Sequence, residues 1–168
     1  MCKLLITGTP GVGKSYLAKK ISEKYNIEHI DISSLIKSKR LYEKYDEKYD
    51  TYEFDDEYVA VFLNDYCREK NSFIIDTHSP SVAMDIKFDY IFHIKCDWEV
   101  LRRRLKNRKY SELKIEENID VESFDEIGNE LSECFPEKSV ILVNGCEYEI
   151  SQTQYKTDEI IDFISDKL

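Results

Sequence analysis

Residues 8–15 read GTPGVGKS and match GxxxxGK[ST], a pattern whose backbone is built to hold phosphate groups. The pattern lies between an apolar run at residues 3–7 and a segment with apolar residues at helical spacing. Its glycines let backbone N–H groups turn toward phosphate oxygens, and the positive end of the following helix adds attraction. We expect Lys14 to reach the β and γ phosphates of a nucleotide and the Ser15 hydroxyl to bind Mg²⁺. The predicted nucleotide contacts here are Gly11, Val12, Gly13, Lys14, Ser15 and Tyr16.

A second candidate site element is the stretch FIIDTHSP at residues 73–80, where three apolar residues lead into an acid. Asp76 ends a predicted strand, and beside a phosphate loop it is expected to make the second Mg²⁺ contact, directly or through water. A structural cap is the alternative. His78 follows two residues later, and an imidazole of near-neutral pKa there is suited to orienting a water molecule for hydrolysis. A histidine that only braces the strand end is the open alternative.

A basic run, RRRLKNRK, occupies residues 102–109. On a helix Arg104 and Arg108 are four residues apart and share a face. Guanidinium groups neutralise and align a transferring phosphoryl group, so these two arginines are predicted to be catalytic. The remaining cations of the run are expected to form a solvated helix face. A nuclear-import signal is a further interpretation of the run.

Apolar runs alternate with helical patterns along the chain, which predicts an α/β fold with a five-stranded parallel sheet covered by helices on both faces. The predicted strands are at residues 3–7, 27–32, 73–76, 90–94 and 140–143. A helix capped by Ser33 or Ser34 is expected after the second strand. A single helical pattern covers residues 119–131, and isoleucines at 160, 161 and 164 predict a closing helix. Two long intervals, 40–56 and 108–117, are typical of lids or binding loops.

Bulk composition excludes several classes of protein. The length of 168 residues suits one domain, expected to span residues 1–168. A net charge of −10 argues against direct sequence-specific nucleic-acid binding, because a phosphate backbone is recruited by a basic face. Five cysteines without a CxxC spacing predict free thiols in a reducing compartment. No run approaches the ~18 apolar residues of a membrane span, so we expect a soluble intracellular protein with no membrane partner.

Among proteins with a phosphate loop, a switch GTPase needs an NKxD segment, and the sequence contains none. A small nucleotide kinase agrees better with the two long intervals, since such an enzyme needs one mobile segment for the acceptor and one that closes over the transferring group. Adenylate kinase has such a lid, and this step is an analogy. The sequence therefore favours a nucleoside monophosphate kinase fold.

Four segments together resemble the adenylate kinase isoenzyme 6 family: GTPGVGKS, LYEKYDEKYD at residues 41–50, IIDTH, and RLKNRKY at residues 104–110. The resemblance implies an atypical adenylate kinase with ATPase activity that uses ATP and Mg²⁺, takes AMP as acceptor and resides in nucleus and cytoplasm. It also implies a partner protein on the platform of the small ribosomal subunit and a role in 18S rRNA maturation. The alternative function is a ribosome-assembly ATPase in which AMP phosphorylation is secondary.

Site residues carried over by this resemblance follow the motif positions. It implies that residues 31–55 form the excursion that binds the nucleoside monophosphate and that residues 107–117 form the lid. Arg108 is expected to contact ATP, and the loop at Gly145 to hold the adenine ring. Lys37 stands where the family typically has an arginine on the AMP side, with Arg40 nearby, and lysine lacks the bidentate fork that grips a phosphate.

Overall fold

A computed structural model describes residues 1–49, 51–148, 161–163 and 165. Five parallel strands form one sheet in the order β2-β5-β1-β6-β7, and a two-stranded antiparallel hairpin, β3-β4, stands apart from it. The strands are β1 Lys3–Thr7, β2 Glu28–Asp31, β3 Lys44–Asp46, β4 Thr51–Glu53, β5 Phe73–Thr77, β6 Tyr90–Lys95 and β7 Val140–Asn144. The helices are α1 Lys14–Tyr25, α2 Ile32–Lys39, α3 Asp56–Cys67, α4 Trp98–Asn107, α5 Glu112–Ser123 and α6 Glu126–Cys134, with short 3₁₀ turns at Pro80–Ala83 and Gly145–Tyr148.

The sheet is buried on both faces, which confirms the predicted fold class. Alternate residues of β1 belong to opposite halves of the core, with Leu4 and Ile6 on one face and Leu5 on the other. Helices α1, α4 and α5 supply apolar side chains to the first face, and α2, α3 and α6 to the second. Continuous apolar runs are therefore required in the central strands, because neither face meets water.

Parallel pairing brings the carboxyl ends of the strands to a common edge. Ile6 of β1 is in register with Asp76 of β5, and Asp31 of β2 is in register with the same residue. In the strand order, β2 and β5 lie on one side of β1, and the later strands β6 and β7 lie on its other side. Ligands of open α/β sheets bind at such a switch point. Residues that follow β1, β2 and β5 are thus placed to share one site.

Helix boundaries differ from the sequence predictions in two places. Helix α2 begins two or three residues earlier than expected, because the Asp31 side chain, and not Ser33 or Ser34, caps it by accepting from the Ser34 N–H at 2.9 Å. The single helical pattern over residues 119–131 is two helices, since Asp125 adopts the left-handed region with φ of 53° between α5 and α6. Only a local backbone reversal separates them.

The two long intervals are also more ordered than expected. The first contains the antiparallel hairpin β3-β4, which the polar sequence did not predict. The second is shorter than expected: the Ser111 side chain caps α5 by accepting from the Lys114 N–H at 3.3 Å, so only Arg108 to Ser111 connects α4 to α5. Of the expected closing helix, Ile161 is helical, whereas Ile160 and Ile164 lie outside the described residues. None of the described helices is both long and apolar enough to cross a membrane.

Stability is expected to depend on position within the sheet far more than on residue type. Leu5 on central β1 is fully buried, whereas Leu142 on edge strand β7 is 71% exposed. Leu5→Ala should lower the free energy of unfolding by about 2–5 kcal/mol, because it removes packed methyl groups and leaves a cavity. The matched Leu142→Ala should change it by less than about 0.5 kcal/mol. Urea unfolding of both variants measures the difference, and equal losses would show that β7 is covered in solution.

Candidate active site

The phosphate loop connects β1 to α1 in a conformation that only glycine adopts easily. Gly11 and Gly13 have φ angles of 101° and 115°. A Cβ on Gly11 would lie 2.9 Å from side-chain carbons of both Leu101 and Leu105, so the loop is pressed against α4. Positive φ at these glycines turns the backbone into a concave turn at the start of α1, the geometry in which N–H groups bind phosphate oxygens.

Lys14 is the first residue of α1 and is 9% exposed. Its Nζ donates to the Thr9 carbonyl oxygen at 3.2 Å, across the phosphate loop. Burial lowers the pKa of Lys14 to about 8, with Arg108 lowering it further and the carboxylate of Asp76 opposing the shift. The side chain is thus a partly dehydrated cation, which interacts more strongly with an incoming anion than a solvated lysine does.

Asp76 is 3% exposed near the carboxyl end of β5. Burial raises its pKa, but hydrogen bonds from His29 and Ser15 and the charge of Lys14 outweigh burial, and the net pKa lies below the usual range. The carboxylate is therefore ionised. The His29 Nε2 is 3.3 Å from Asp76 Oδ2. No local sequence pattern links His29 to Asp76, because the contact crosses between the two neighbouring strands β2 and β5.

The structure brings together the two residues predicted to bind Mg²⁺. Ser15 donates a hydrogen bond to the Asp76 carboxylate, so a hydroxyl and an ionised carboxylate face each other beside the phosphate loop. Mg²⁺ prefers hard oxygen ligands and keeps several waters, and it is commonly bound by one carboxylate together with substrate phosphates. The donor set fits this ion.

His78 lines the same cavity as Lys14 and Asp76. Burial and the nearby charge of Lys14 lower the pKa of His78 to about 4, while Asp76 opposes the shift. The expected near-neutral pKa is therefore wrong. At neutral pH the imidazole is uncharged, with one nitrogen able to donate and the other able to accept.

Arg108 and Arg104 do not reach the same place. Arg108 lines the cavity, as predicted. The part-buried Arg104 guanidinium instead lies behind the phosphate loop, where it donates to the carbonyl oxygens of Val12 at 3.0 Å and Gly145 at 2.8 Å. Among the described residues Arg104 is not part of the cavity lining, so its predicted contact with the transferring group is not found.

The two arginines start from one helix face, but their side chains go to different places. Arg108 is the C-cap of α4 and its N–H still donates to the Arg104 carbonyl oxygen at 3.1 Å, so the i,i+4 relation holds in the backbone. Arg104 is kept out of the cavity because its guanidinium binds the carbonyl oxygens behind the phosphate loop. The Arg104 contact also accounts for the positions of Val12 and Gly145, whose carbonyl oxygens it binds behind the phosphate loop. The two backbones lie close together there, since a Cβ on Gly145 would be 2.4 Å from the Val12 carbonyl oxygen. Neither is a lining residue in the described part of the chain.

A cation that sequence reasoning missed, Lys114, lines the cavity together with Tyr110. Its Nζ lies 4.5 Å from the centroid of the Tyr110 ring, and its charge contributes to lowering the pKa of His78. The sequence carries only a weak signal for Lys114: it lies within the predicted lid, four residues after Tyr110, which ends the segment RLKNRKY. The short connection between α4 and α5 thus delivers Arg108 and Tyr110 to the cavity, and the first turn of α5 delivers Lys114.

The cavity has a volume of about 350 Å³ and extends from the phosphate loop to α2 and the hairpin. Its far side is formed by residues of the 31–55 segment, namely Asp31, Ser33, Ile36, Thr51, Tyr52 and Phe54. Lys37 and Arg40, predicted on the AMP side, are exposed and absent from the lining formed by the described residues. Arg40 is the left-handed C-cap of α2, with φ of 57°, so the chain turns away at that point.

A buried carboxylate that no sequence pattern singled out, Glu122, contacts the phosphate loop on the side away from the cavity. Glu122 of α5 is 6% exposed and accepts hydrogen bonds from the Thr9 hydroxyl and from the Cys96 N–H at 2.8 Å. Thr9 is itself fully buried. Because an unpaired buried donor is costly, Glu122 fixes the backbone of the phosphate loop relative to the end of β6.

Sheet order, phosphate loop and strand-end acid together define a P-loop kinase fold. The same fold is present in shikimate kinase from Bacteroides thetaiotaomicron, with a TM-score of 0.67, 16% identity and 98% of each chain covered. A family model described as AAA domain matches residues 4–125.

Curated relatives give the family. A protein of Drosophila melanogaster named adenylate kinase isoenzyme 6 homolog is 34% identical over 142 residues, covering 84% of this chain and 81% of that protein. The homolog of the same name in Caenorhabditis elegans is 30% identical over 138 residues, covering 82% and 76%. A Methanocaldococcus jannaschii protein, provisionally named an adenylate kinase, is 33% identical over 162 residues, covering 96% and 83%. The chain belongs to the adenylate kinase isoenzyme 6 family.

Nucleotide affinity is expected to fall as the pH rises through about 8, the pKa of Lys14 in the free protein. Above that value Lys14 loses its proton, so binding of the phosphates must also recover one, and affinity drops by up to about tenfold per pH unit. Calorimetric titration of MgATP between pH 6.5 and 9.5 measures this. Lys14→Arg serves as control because arginine stays charged throughout, and an equal pH dependence in that variant would contradict the assignment.

Proposed function

We propose that this protein transfers the γ-phosphoryl group of ATP to AMP, giving two ADP. One observation carries the proposal: a single cavity is lined both by the phosphate loop and by the segment 31–55 on its far side. A hydrolase needs only the first of these surfaces, whereas a kinase must hold donor and acceptor together. The relatives named as adenylate kinases support ATP and AMP as the pair.

The donor phosphates are held by the loop and by Lys14. Backbone N–H groups of the glycine-rich turn bind the β phosphate, and the Lys14 ammonium, already close to the loop, bridges toward the γ phosphate. Since Lys14 is largely desolvated before the nucleotide arrives, little reorganisation accompanies binding. The interaction becomes stronger as negative charge moves toward the bridging oxygen in the transition state.

The Ser15 hydroxyl and the Asp76 carboxylate would hold Mg²⁺. When bound, the ion supplies positive charge across the β and γ phosphates. His29 hydrogen-bonds to Asp76 and keeps that carboxylate in one orientation. The low pKa of Asp76 means that it remains an anionic ligand across the physiological pH range.

The acceptor needs alignment more than it needs a base, because the phosphate of AMP is already an anionic nucleophile. Arg108 and Lys114 reach the cavity from the connection after α4 and from α5, and their charges offset repulsion between the two phosphate groups. Tyr52 and Phe54 lie on the far side with Ile36, and they offer aromatic and apolar surface to a nucleobase.

ADP formation by the purified protein with ATP and Mg²⁺ should rise several-fold when AMP is added, because the acceptor competes with water for the phosphoryl group. Steady-state ADP measurement with each of AMP, GMP, CMP and UMP checks this and compares acceptors. Lys14→Met should lower the AMP-dependent rate by about 100-fold or more, since it removes a preorganised charge. Lys19→Met, on the exposed side of the same helix, is the matched control. Absence of stimulation by every monophosphate would overturn the proposal.

A second candidate function is ATP hydrolysis that times release from a protein partner. The observation in its favour is His78, an uncharged imidazole held in the cavity beside Asp76. A neutral imidazole can accept a hydrogen bond from water and orient it toward the γ phosphate, as hydrolysis requires. The ribosomal platform partner, the role in 18S rRNA maturation and the location in nucleus and cytoplasm stay predictions from the family resemblance.

Replacing His78 separates the two activities. His78→Ala should lower ATP hydrolysis about tenfold or more while changing AMP phosphorylation much less, because only hydrolysis depends on a positioned water. Both rates are measured on one preparation, with and without AMP. His78→Asn, which keeps a neutral hydrogen-bonding group, should retain more hydrolysis than the alanine variant. Equal loss of both activities in His78→Ala would assign the residue a structural role.

A further inference from the structure

Two cysteines that the proposed function leaves unused lie against each other beside the phosphate loop. Cys96 directly follows β6, and Cys146 lies in the 3₁₀ turn after β7. Their Sγ atoms are 3.4 Å apart, and both cysteines are free thiols. A disulfide bond is about 2.05 Å long, so the two sulfurs need to approach by only about 1.4 Å to join. Parallel pairing of β6 with β7 holds the two segments together.

We propose that Cys96 and Cys146 form a reversible intramolecular disulfide, a modification site that takes hydrogen peroxide as oxidant. The two thiols differ in access, since Cys96 is 8% exposed whereas Cys146 is partly exposed. A peroxide therefore meets Cys146 first. The Asp97 N–H donates to the Cys146 Sγ at 2.9 Å and holds that sulfur facing the end of β6.

The chemistry balances in two steps. The Cys146 sulfur attacks one peroxide oxygen, the O–O bond breaks, and a sulfenic acid and one water form. The Cys96 sulfur then attacks the sulfenic sulfur, the S–O bond breaks, and hydroxide leaves with the Cys96 proton as a second water. Two thiols lose two electrons in total and the peroxide gains them. Burial and the hydrogen bond with Cys146 raise the pKa of Cys96 to about 12, so this thiol is unreactive toward peroxide itself. It reacts second because the sulfenic sulfur forms directly beside it, where the two Sγ atoms are 3.4 Å apart.

The disulfide is coupled to the nucleotide site through Arg104. Its guanidinium lies 3.6 Å from the Cys96 Sγ and donates to the carbonyl oxygens of Gly145 and Val12. Gly145 lies directly against the phosphate loop, since a Cβ there would be 2.4 Å from the Val12 carbonyl oxygen. Because Cys146 is its neighbour in the chain, movement of Cys146 toward Cys96 reaches the loop through Gly145 and the Arg104 contacts.

Peroxide treatment of the reduced protein tests the proposal without any measurement of turnover, so failure of the proposed kinase activity leaves the test intact. The expected product has lost two thiols, is about 2 Da lighter, and joins the tryptic peptides 96–102 and 139–156. Dithiothreitol should reverse all three changes. In the oxidised protein the Kd for MgATP should rise about five- to tenfold, at the low end of typical coupling between sites.

Three variants control for reaction elsewhere. Cys146→Ser and Cys96→Ala should each abolish the linked peptides and the change in MgATP affinity. Cys134→Ser should behave as the native protein does, because Cys134 packs against the other half of the core. Oxidation of Cys146 to sulfinic acid without the linked peptides, or a link to any other cysteine, would overturn the proposal. Linked peptides with unchanged MgATP affinity would overturn the coupling through Arg104.

Discussion

The buried charge of Lys14 is the constraint on which the site depends. Burying a lysine ammonium away from water costs free energy, and the lowered pKa of Lys14 reflects that cost. The ionised Asp76 compensates in part, and it does so only because β5 lies directly beside β1 in the sheet. The order of the strands, and not the local sequence, therefore places the carboxylate that stabilises this buried, phosphate-binding cation.

The loop that carries Lys14 is held from two sides by side chains that never face the cavity. Arg104 binds carbonyl oxygens at the back of the loop, and Glu122 accepts from Thr9 beneath it. The Arg104 contacts occupy the Gly145 and Val12 carbonyl oxygens with a cation at the back of the loop. Carbonyl oxygens that faced the ligand would repel it, so a cation placed behind the loop serves phosphate binding as directly as one placed in front.

Site residues could be predicted from the sequence where a chemically distinctive residue or motif lies at the end of an apolar strand. The phosphate loop and Asp76 were predictable because each follows an apolar strand directly, and strand ends meet at one edge. Asp31 carries the same signal at the end of β2, but the strand was expected to continue through Ile32, so the acid was overlooked. Arg104 was misplaced because its guanidinium binds carbonyl oxygens behind the phosphate loop, a tertiary contact that helical spacing does not report. Lys37 lies in the last turn of α2 and Arg40 is its C-cap, and both side chains are exposed. Lys114, His29 and Glu122 contact the site through tertiary packing, which no local pattern reports.

The proposed binding of two polyanionic nucleotides to an acidic protein poses an electrostatic problem, which the charges that line the cavity address. The chain carries a net charge of −10, which on average repels phosphate. Salt screens charges on the outer surface over about 8–10 Å, however, while groups inside a partly dry cavity are screened much less. Lys14, Arg108 and Lys114 in the lining outnumber the carboxylates Asp31 and Asp76, and His78 stays neutral beside them. The local field at the phosphate loop is therefore set by a few desolvated side chains in the cavity and not by the net charge of the whole chain.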